Sequence, residues 1–212
     1  MRRFRCFICH CVTAWALSLS PPVSAISYQV SIDTSALEGA PFALVYDLID
    51  GGTPANAVTI SDFVTDGTLG EVSTVGGVFG GLPWGFTLID TEFFFNEYAH
   101  VISTSTNITF RFTTSSNGPA PGSVSDTFSV FLLDIESGTP LFDTSDPVGA
   151  ASLFTFQIDD GLGLLSVYSP MPPSGVRWTV TAVPEPDAAW LFLCGLLAVI
   201  FLTAQRARAP LS

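Results

Sequence analysis

Asn107-Ile108-Thr109-Phe110-Arg111-Phe112 alternates polar and apolar side chains without a break. Successive side chains of a strand point to opposite faces, so this order sets Ile108, Phe110 and Phe112 on a buried face and Thr109 and Arg111 on the other. The same period of two recurs in Tyr28-Gln29-Val30-Ser31-Ile32, while Phe42-Ala43-Leu44-Val45-Tyr46-Asp47-Leu48 is more continuously apolar and reads as a central strand. Further strand segments run from Val58 to Val64, Gly70 to Phe79 with Gly76-Gly77 breaking or bulging it, Phe86 to Ile89, Val101 to Ser103, Thr127 to Leu133, Ser152 to Ile158, Leu164 to Tyr168 and Val176 to Val183. Turn signals separate them, among them Asp50-Gly51-Gly52-Thr53-Pro54, Asp66-Gly67, the loop from Ser115 to Gly122, Asp159-Asp160-Gly161 and Pro170-Met171-Pro172-Pro173.

About ten short strands with regular turns predict an all-β fold, an antiparallel two-sheet β-sandwich or jelly roll. A parallel α/β fold needs helical crossovers, and the body shows none. The chain carries 18 phenylalanines, and alternate rings on facing sheets fill a core about 10 Å thick. Phe93, Phe94 and Phe95 are consecutive, so within a strand at least one must face away from its neighbours, filling an edge or standing exposed for binding.

The two ends have a different chemistry. Met1-Arg2-Arg3-Phe4-Arg5 is basic, Cys6 to Leu19 is mostly apolar, and Val23-Ser24-Ala25 offers small residues, so residues 1–25 read as a secretory signal peptide cleaved after Ala25. Residues 26–182 form the expected exported sandwich. Residues 183–212 begin with Val183-Pro184-Glu185-Pro186, whose prolines cannot continue a strand and leave the segment extended and accessible. An uncharged run of 17 residues, 188–204, follows. As a helix it is about 25 Å long, at the short limit for crossing a hydrocarbon core of roughly 30 Å. Arg206 and Arg208, in the basic tail 205–212, hold that end on the cytoplasmic side, so the body faces outward.

The Pro-Glu-Pro motif (184–186), hydrophobic helix and terminal arginines, in that order, resemble the PEP-CTERM sorting signal of Gram-negative bacteria. The resemblance implies exosortase, a membrane-embedded cysteine transpeptidase, as the partner that recognises the tail after the secretion machinery has exported the chain. It also implies an inner-membrane-anchored precursor that ends at the cell surface or outside the cell. The body is similar to small β-rich secreted proteins that carry such tails, in the stretches Tyr28 to Thr34, Phe94-Phe95-Asn96-Glu97 and Asp126 to Asp134. That likeness implies surface or exopolysaccharide-matrix association without catalysis.

Bulk chemistry narrows the partners. All four cysteines (Cys6, Cys9, Cys11, Cys194) lie in the two end segments, so no disulfide staples the body. Between Ile26 and Val183 two arginines, Arg111 and Arg177, face 17 carboxylates, a net charge of −15. Nucleic acid and anionic membrane surfaces demand cationic patches and are excluded as partners of the body.

Catalytic signatures are absent from the sequence: there is no Gly-x-Ser-x-Gly, no His-Glu-x-x-His and no phosphate-binding glycine loop with lysine, and His100 is the body's sole histidine. Carboxylate pairs suited to glycoside hydrolysis are Asp134 with Glu136 and Glu92 with Glu97. No cofactor is expected apart from calcium, whose oxygen ligands the acidic turns Asp47/Asp50, Asp143/Asp146 and Asp159/Asp160 supply if their loops converge. Trp84, Tyr98 or a spare phenylalanine are candidates for stacking on sugar rings. The leading expectation is a non-enzymatic exported surface or matrix protein, with a carbohydrate-binding module second and a glycoside-active enzyme third.

Overall fold

A computed structural model describes residues 26–184, apart from 38, 53–54, 116–123, 159–162 and 173, together with 195. The expected signal peptide with Ala25, the tail from Glu185 and Pro186 through Arg206 and Arg208, and Asp159 and Asp160 lie outside the described residues. Among the described residues no helix is long and apolar enough to cross a membrane.

The strands are β1 (Ile26–Asp33), β2 (Phe42–Ile49), β3 (Ala57–Thr65), β4 (Thr68–Val75), β5 (Gly77–Gly81), β6 (Gly85–Ile89), β7 (Phe95–Ser103), β8 (Asn107–Thr114), β9 (Asp126–Leu133), β10 (Asp143–Thr144), β11 (Phe154–Ile158), β12 (Leu165–Val167), β13 (Pro170–Met171) and β14 (Arg177–Ala182). One six-stranded sheet has the order β14-β1-β8-β3-β6-β5, the other β12-β11-β9-β2-β7-β4, and β10 pairs with β13 in a small ladder. Every pairing among these strands is antiparallel. The fold is therefore all-β and two-sheeted, as the alternation in 107–112 predicts. β2 lies between β7 and β9, the central position its continuous apolar pattern called for.

Three segments differ from expectation. The stretch from Gly70 to Phe79 breaks at Gly76, as the paired glycines predict, but into strands of different sheets, β4 beside β7 and β5 beside β6. Gly76 makes the crossing, with φ of 75°. A Cβ there would stand 2.6 Å from the Phe95 carbonyl oxygen and closer still to Asn96 Oδ1, so the close approach requires glycine. β7 begins at Phe95 rather than Val101, because its inward positions include Asn96 and His100, which hide the apolar period. Phe93 and Phe94 precede the strand and are exposed, so the triplet is not a strand with one ring turned away. β13 pairs with β10 in a two-residue ladder, within a stretch in which Pro170 and Pro172 signal only a turn.

The two sheets meet through rings. From the first sheet Phe110 and Phe86 lie 5.2 and 5.1 Å from Tyr46 of the second. Phe112 of β8 lies 5.1 Å from Phe128, 5.6 Å from Phe154 and 5.8 Å from Phe156, and its own-sheet neighbour Tyr28 stacks on it at 5.0 Å. Ile108, Phe110 and Phe112 are all fully buried, while Thr109 and Arg111 are not. Offset and edge-to-face pairs of this kind add about 0.5–1.5 kcal/mol each beyond the area they bury.

Truncating the central ring tests this packing. Phe112→Ala is expected to destabilise the protein by about 3–5 kcal/mol, whereas Phe79→Ala, at a ring 64% exposed, is expected to change stability by less than about 0.5 kcal/mol. Urea unfolding midpoints of the two variants check the contrast.

Candidate functional site

The chain reverses between sheets at one end of the sandwich. Ile49, the last residue of β2, pairs with Phe95 and Thr127 near the starts of β7 and β9, and Ala57, the first of β3, pairs with Ile89, the last of β6. The β2–β3 loop, the β6–β7 turn and the start of β9 therefore share that end. They bring together Asp50, Asp90 and Asp126, each offering a carboxylate oxygen within 4.8 Å of the others.

Backbone and amide donors orient these acids. Asn56 N–H donates to Asp90 Oδ1 at 2.6 Å, Asn56 Nδ2 to Asp126 Oδ2 at 2.7 Å, and Gly51 N–H to Asp126 Oδ1 at 2.7 Å. Gly52 N–H donates to Asp50 Oδ1 at 2.5 Å. Asn56 is itself held, its Oδ1 accepting from the Ser115 hydroxyl at 2.9 Å. Asp126 is fully buried and Asp90 is 5% exposed. Burial, reinforced by the neighbouring Asp126, pushes the Asp90 carboxyl up to about 7.

Of the described acids predicted to bind calcium, Asp50 alone joins this cluster. Among the described residues it is the one such group of three, and Asp47, Asp143 and Asp146 stand outside it. Asp146 is buried, with its oxygens engaged by Val148 N–H, Ser152 N–H and the Ser152 hydroxyl, so it caps its own turn. Asp143 is exposed on β10. Asp90 and Asp126 were missed because each is a single acid at the border of an apolar strand, and only the topology brings their borders together.

Asp47 has a different environment. It alternates outward from Tyr46 and Leu48 on β2, opposite Glu97 on β7 and Ser129 on β9. Its Oδ1 is buried without a hydrogen-bond partner. Burial first, and the Glu97 charge second, push its carboxyl up to about 7, while burial raises Glu97 as well. Glu97 thus faces Asp47 rather than the predicted Glu92, which is exposed in the β6–β7 turn. The other predicted pair, Asp134 with Glu136, shares one turn. Asp134 accepts from Ser137 N–H, the Ser137 hydroxyl and Glu136 N–H, and these bonds, Ser137's foremost, hold its carboxyl below the usual range. It is a turn cap, not a proton donor.

The aromatic candidates also part company. Trp84 is 93% exposed at the tip of the β5–β6 hairpin, whereas Tyr98 is 1% exposed and stacks on Phe86 at 3.9 Å inside the core. Tyr98 is therefore corrected from a sugar-stacking ring to a core residue. Its hydroxyl accepts from Leu82 N–H and shares a bond of 2.9 Å with His100 Nδ1. His100 is buried beside it, its pKa lowered by burial, and partners a phenol rather than a carboxylate and serine. In the place of Tyr98, the exposed rings Phe79 and Phe93 flank an open groove of about 390 Å³ whose other walls include Val78, Ile89 and Glu92.

The pH response of Asp47 follows from its sign. A carboxyl whose folded-state pKa is about 7 against an ordinary value of 3.8 binds its proton more tightly when folded, so it lowers stability progressively as pH rises from about 4 to about 7. Asp47→Asn is expected to stabilise the protein at pH 8 by on the order of 2 kcal/mol, with the gain shrinking toward pH 4. Urea melts of variant and wild type across that range are the check.

These residues stand without a related site for comparison: no protein-family model, curated protein or solved structure matches the chain.

Proposed function

We propose that this chain is a non-enzymatic exported protein of the cell surface or extracellular matrix, built on a jelly-roll-type sandwich and sorted by exosortase through its C-terminal segment. Residues 1–25 direct export, the helix 188–204 anchors the precursor in the inner membrane, and Val183 to Pro186 mark where the tail is handled. The observation that carries this reading is the end of β14. β14 ends at Ala182, Val183 N–H makes a last bond to the Ser27 carbonyl at 2.8 Å, and Pro184 is exposed. Pro184 has no N–H with which to extend the edge, so the first proline of the motif stands exposed just past the last hydrogen bond of β14.

Intact-mass spectrometry of the protein from strains with and without exosortase tests the sorting. The tail is expected to be lost near 184–186 in the first strain and retained in the second; an intact tail in both overturns the reading.

A second reading, polysaccharide binding by the body, is favoured by the exposure of Trp84, Phe79, Phe93 and Phe94 where most other rings among the described residues are buried or half-buried. Flat apolar rings left in water at a groove suit the apolar faces of sugars. In affinity electrophoresis with exopolysaccharide, Trp84→Ala and Phe93→Ala are each expected to weaken retardation about tenfold, equivalent to about 1.4 kcal/mol, without altering the melting temperature.

A further inference from the structure

We propose that Asp50, Asp90 and Asp126 bind a divalent cation of the calcium class, which ties the two sheets together at the β2–β3 end of the sandwich. The site takes up the sequence expectation of calcium but assigns it to a different ligand set.

Two observations carry it. The first is geometry: three carboxylate oxygens from three separate segments lie within 4.8 Å of one another. Calcium binds oxygens at about 2.3–2.6 Å, so its shell spans ligands up to about 5 Å apart and fits this spacing. The second is an oxygen with nothing to bond to. Asp90 Oδ2 is buried and lacks any hydrogen-bond partner, in a residue 5% exposed. An unpaired buried acceptor costs about 1–3 kcal/mol, and more when charged. Its sister Oδ1 is fixed by Asn56 N–H at 2.6 Å, and both Asp126 oxygens are fixed by Gly51 N–H and Asn56 Nδ2, which leaves the carboxylates aimed and rigid. Donors of this kind orient ligands around bound metals.

The charge balance agrees. The body has no lysine, and the one ion pair among the described residues joins Arg111 to Asp62 at 3.4 Å, on the exposed side of β3 and β8. The body's other arginine, Arg177, stands on β14 opposite Asp33 of β1. An all-oxygen donor set, with neither thiolate nor imidazole, selects calcium, magnesium or manganese over zinc or copper. Among these, calcium tolerates an irregular shell completed by water.

The consequence is mechanical. Asp50 and Asp126 border strands of the second sheet and Asp90 borders β6 of the first, so one ion cross-links both layers in a body without disulfides. Such a clamp closes where calcium is abundant, as outside cells.

The test uses the full chain in mild detergent, stripped with chelator and returned to calcium chloride alone at pH 7.5. Thermal unfolding is expected to rise with the logarithm of calcium concentration, as mass action requires, and calorimetry to give one site per chain. Asp50→Asn, at a partly exposed position, is expected to weaken calcium affinity tenfold or more, read as the calcium-dependent rise in melting temperature over the variant's own chelated state. Asp90→Asn is expected to abolish the response. Identical melting in chelator and in calcium overturns the proposal and assigns the cluster to a proton shared between Asp90 and Asp126. A calcium response undiminished in Asp50→Asn and Asp90→Asn also overturns it, by placing the ion elsewhere. These outcomes are independent of exosortase processing.

Discussion

Phe112 sits where the two sheets press together, ringed by Tyr28, Phe128, Phe154 and Phe156 at centroid distances between 5.0 and 5.8 Å. The rest of the body depends on this contact because it has no disulfides and too few cations to tie the sheets together by ion pairs. Cysteine is confined to the end segments, and two arginines cannot pair 17 carboxylates. Burial of apolar area, at about 25 cal/mol per Å², is therefore the term that opposes chain entropy. Tyr46 shows how far this goes: it is fully buried between Phe86 and Phe110, and its hydroxyl has no hydrogen-bond partner. The aromatic contacts around that ring offset a polar group left unpaired.

An acidic body with only two cations handles most of its carboxylates by another route. Asp66 accepts from Thr106 N–H, the Thr106 hydroxyl and Asn107 N–H, which hold its carboxyl well below the usual range. Asp33 likewise accepts a hydrogen bond from the Ser35 hydroxyl, Asp134 from that of Ser137 and Asp146 from that of Ser152. Backbone amides and hydroxyls thus replace lysine and arginine, and each acid so used also fixes a turn. Asp47 and Asp90 are the two whose buried oxygens escape this scheme, and both are pushed upward instead. Carboxylates that the fold does not satisfy are where its charge chemistry is concentrated.

Most of the sandwich was legible because strand alternation is local: one face of 107–112 is buried and the other is not, as read from six residues. What escaped was set by partners distant in sequence. β7 was shortened because Asn96, His100 and Tyr98 look polar in isolation, yet Asn96 bridges Gly77 N–H to the Leu48 and Phe93 carbonyls and Tyr98 engages Leu82 and His100. Tyr98 was misread as a binding ring for the same reason. A hydroxyl in a sequence does not say whether its partner is water or an amide 16 residues away. The acidic cluster was half legible: Asp50 was marked by its glycine-rich turn, but Asp90 and Asp126 are 36 residues apart and meet only after both sheets have formed.

That late meeting connects the acidic end to the aromatic one. Asp50 N–H donates to the Phe94 carbonyl at 2.9 Å, and Asp90 opens the turn that carries Glu92, Phe93 and Phe94. The exposed rings therefore stand on a turn whose two ends are tied to members of the carboxylate cluster. Exposed aromatic side chains bind well only when the backbone beneath them is already ordered, because ordering them on binding costs about 0.5–1.5 kcal/mol per side chain. An ion between Asp50, Asp90 and Asp126 fixes that backbone in advance without touching the rings. Occupancy at the acidic end thus acts on Phe93 through the turn's geometry, while Trp84, carried on the separate β5–β6 hairpin, lies beyond its direct reach.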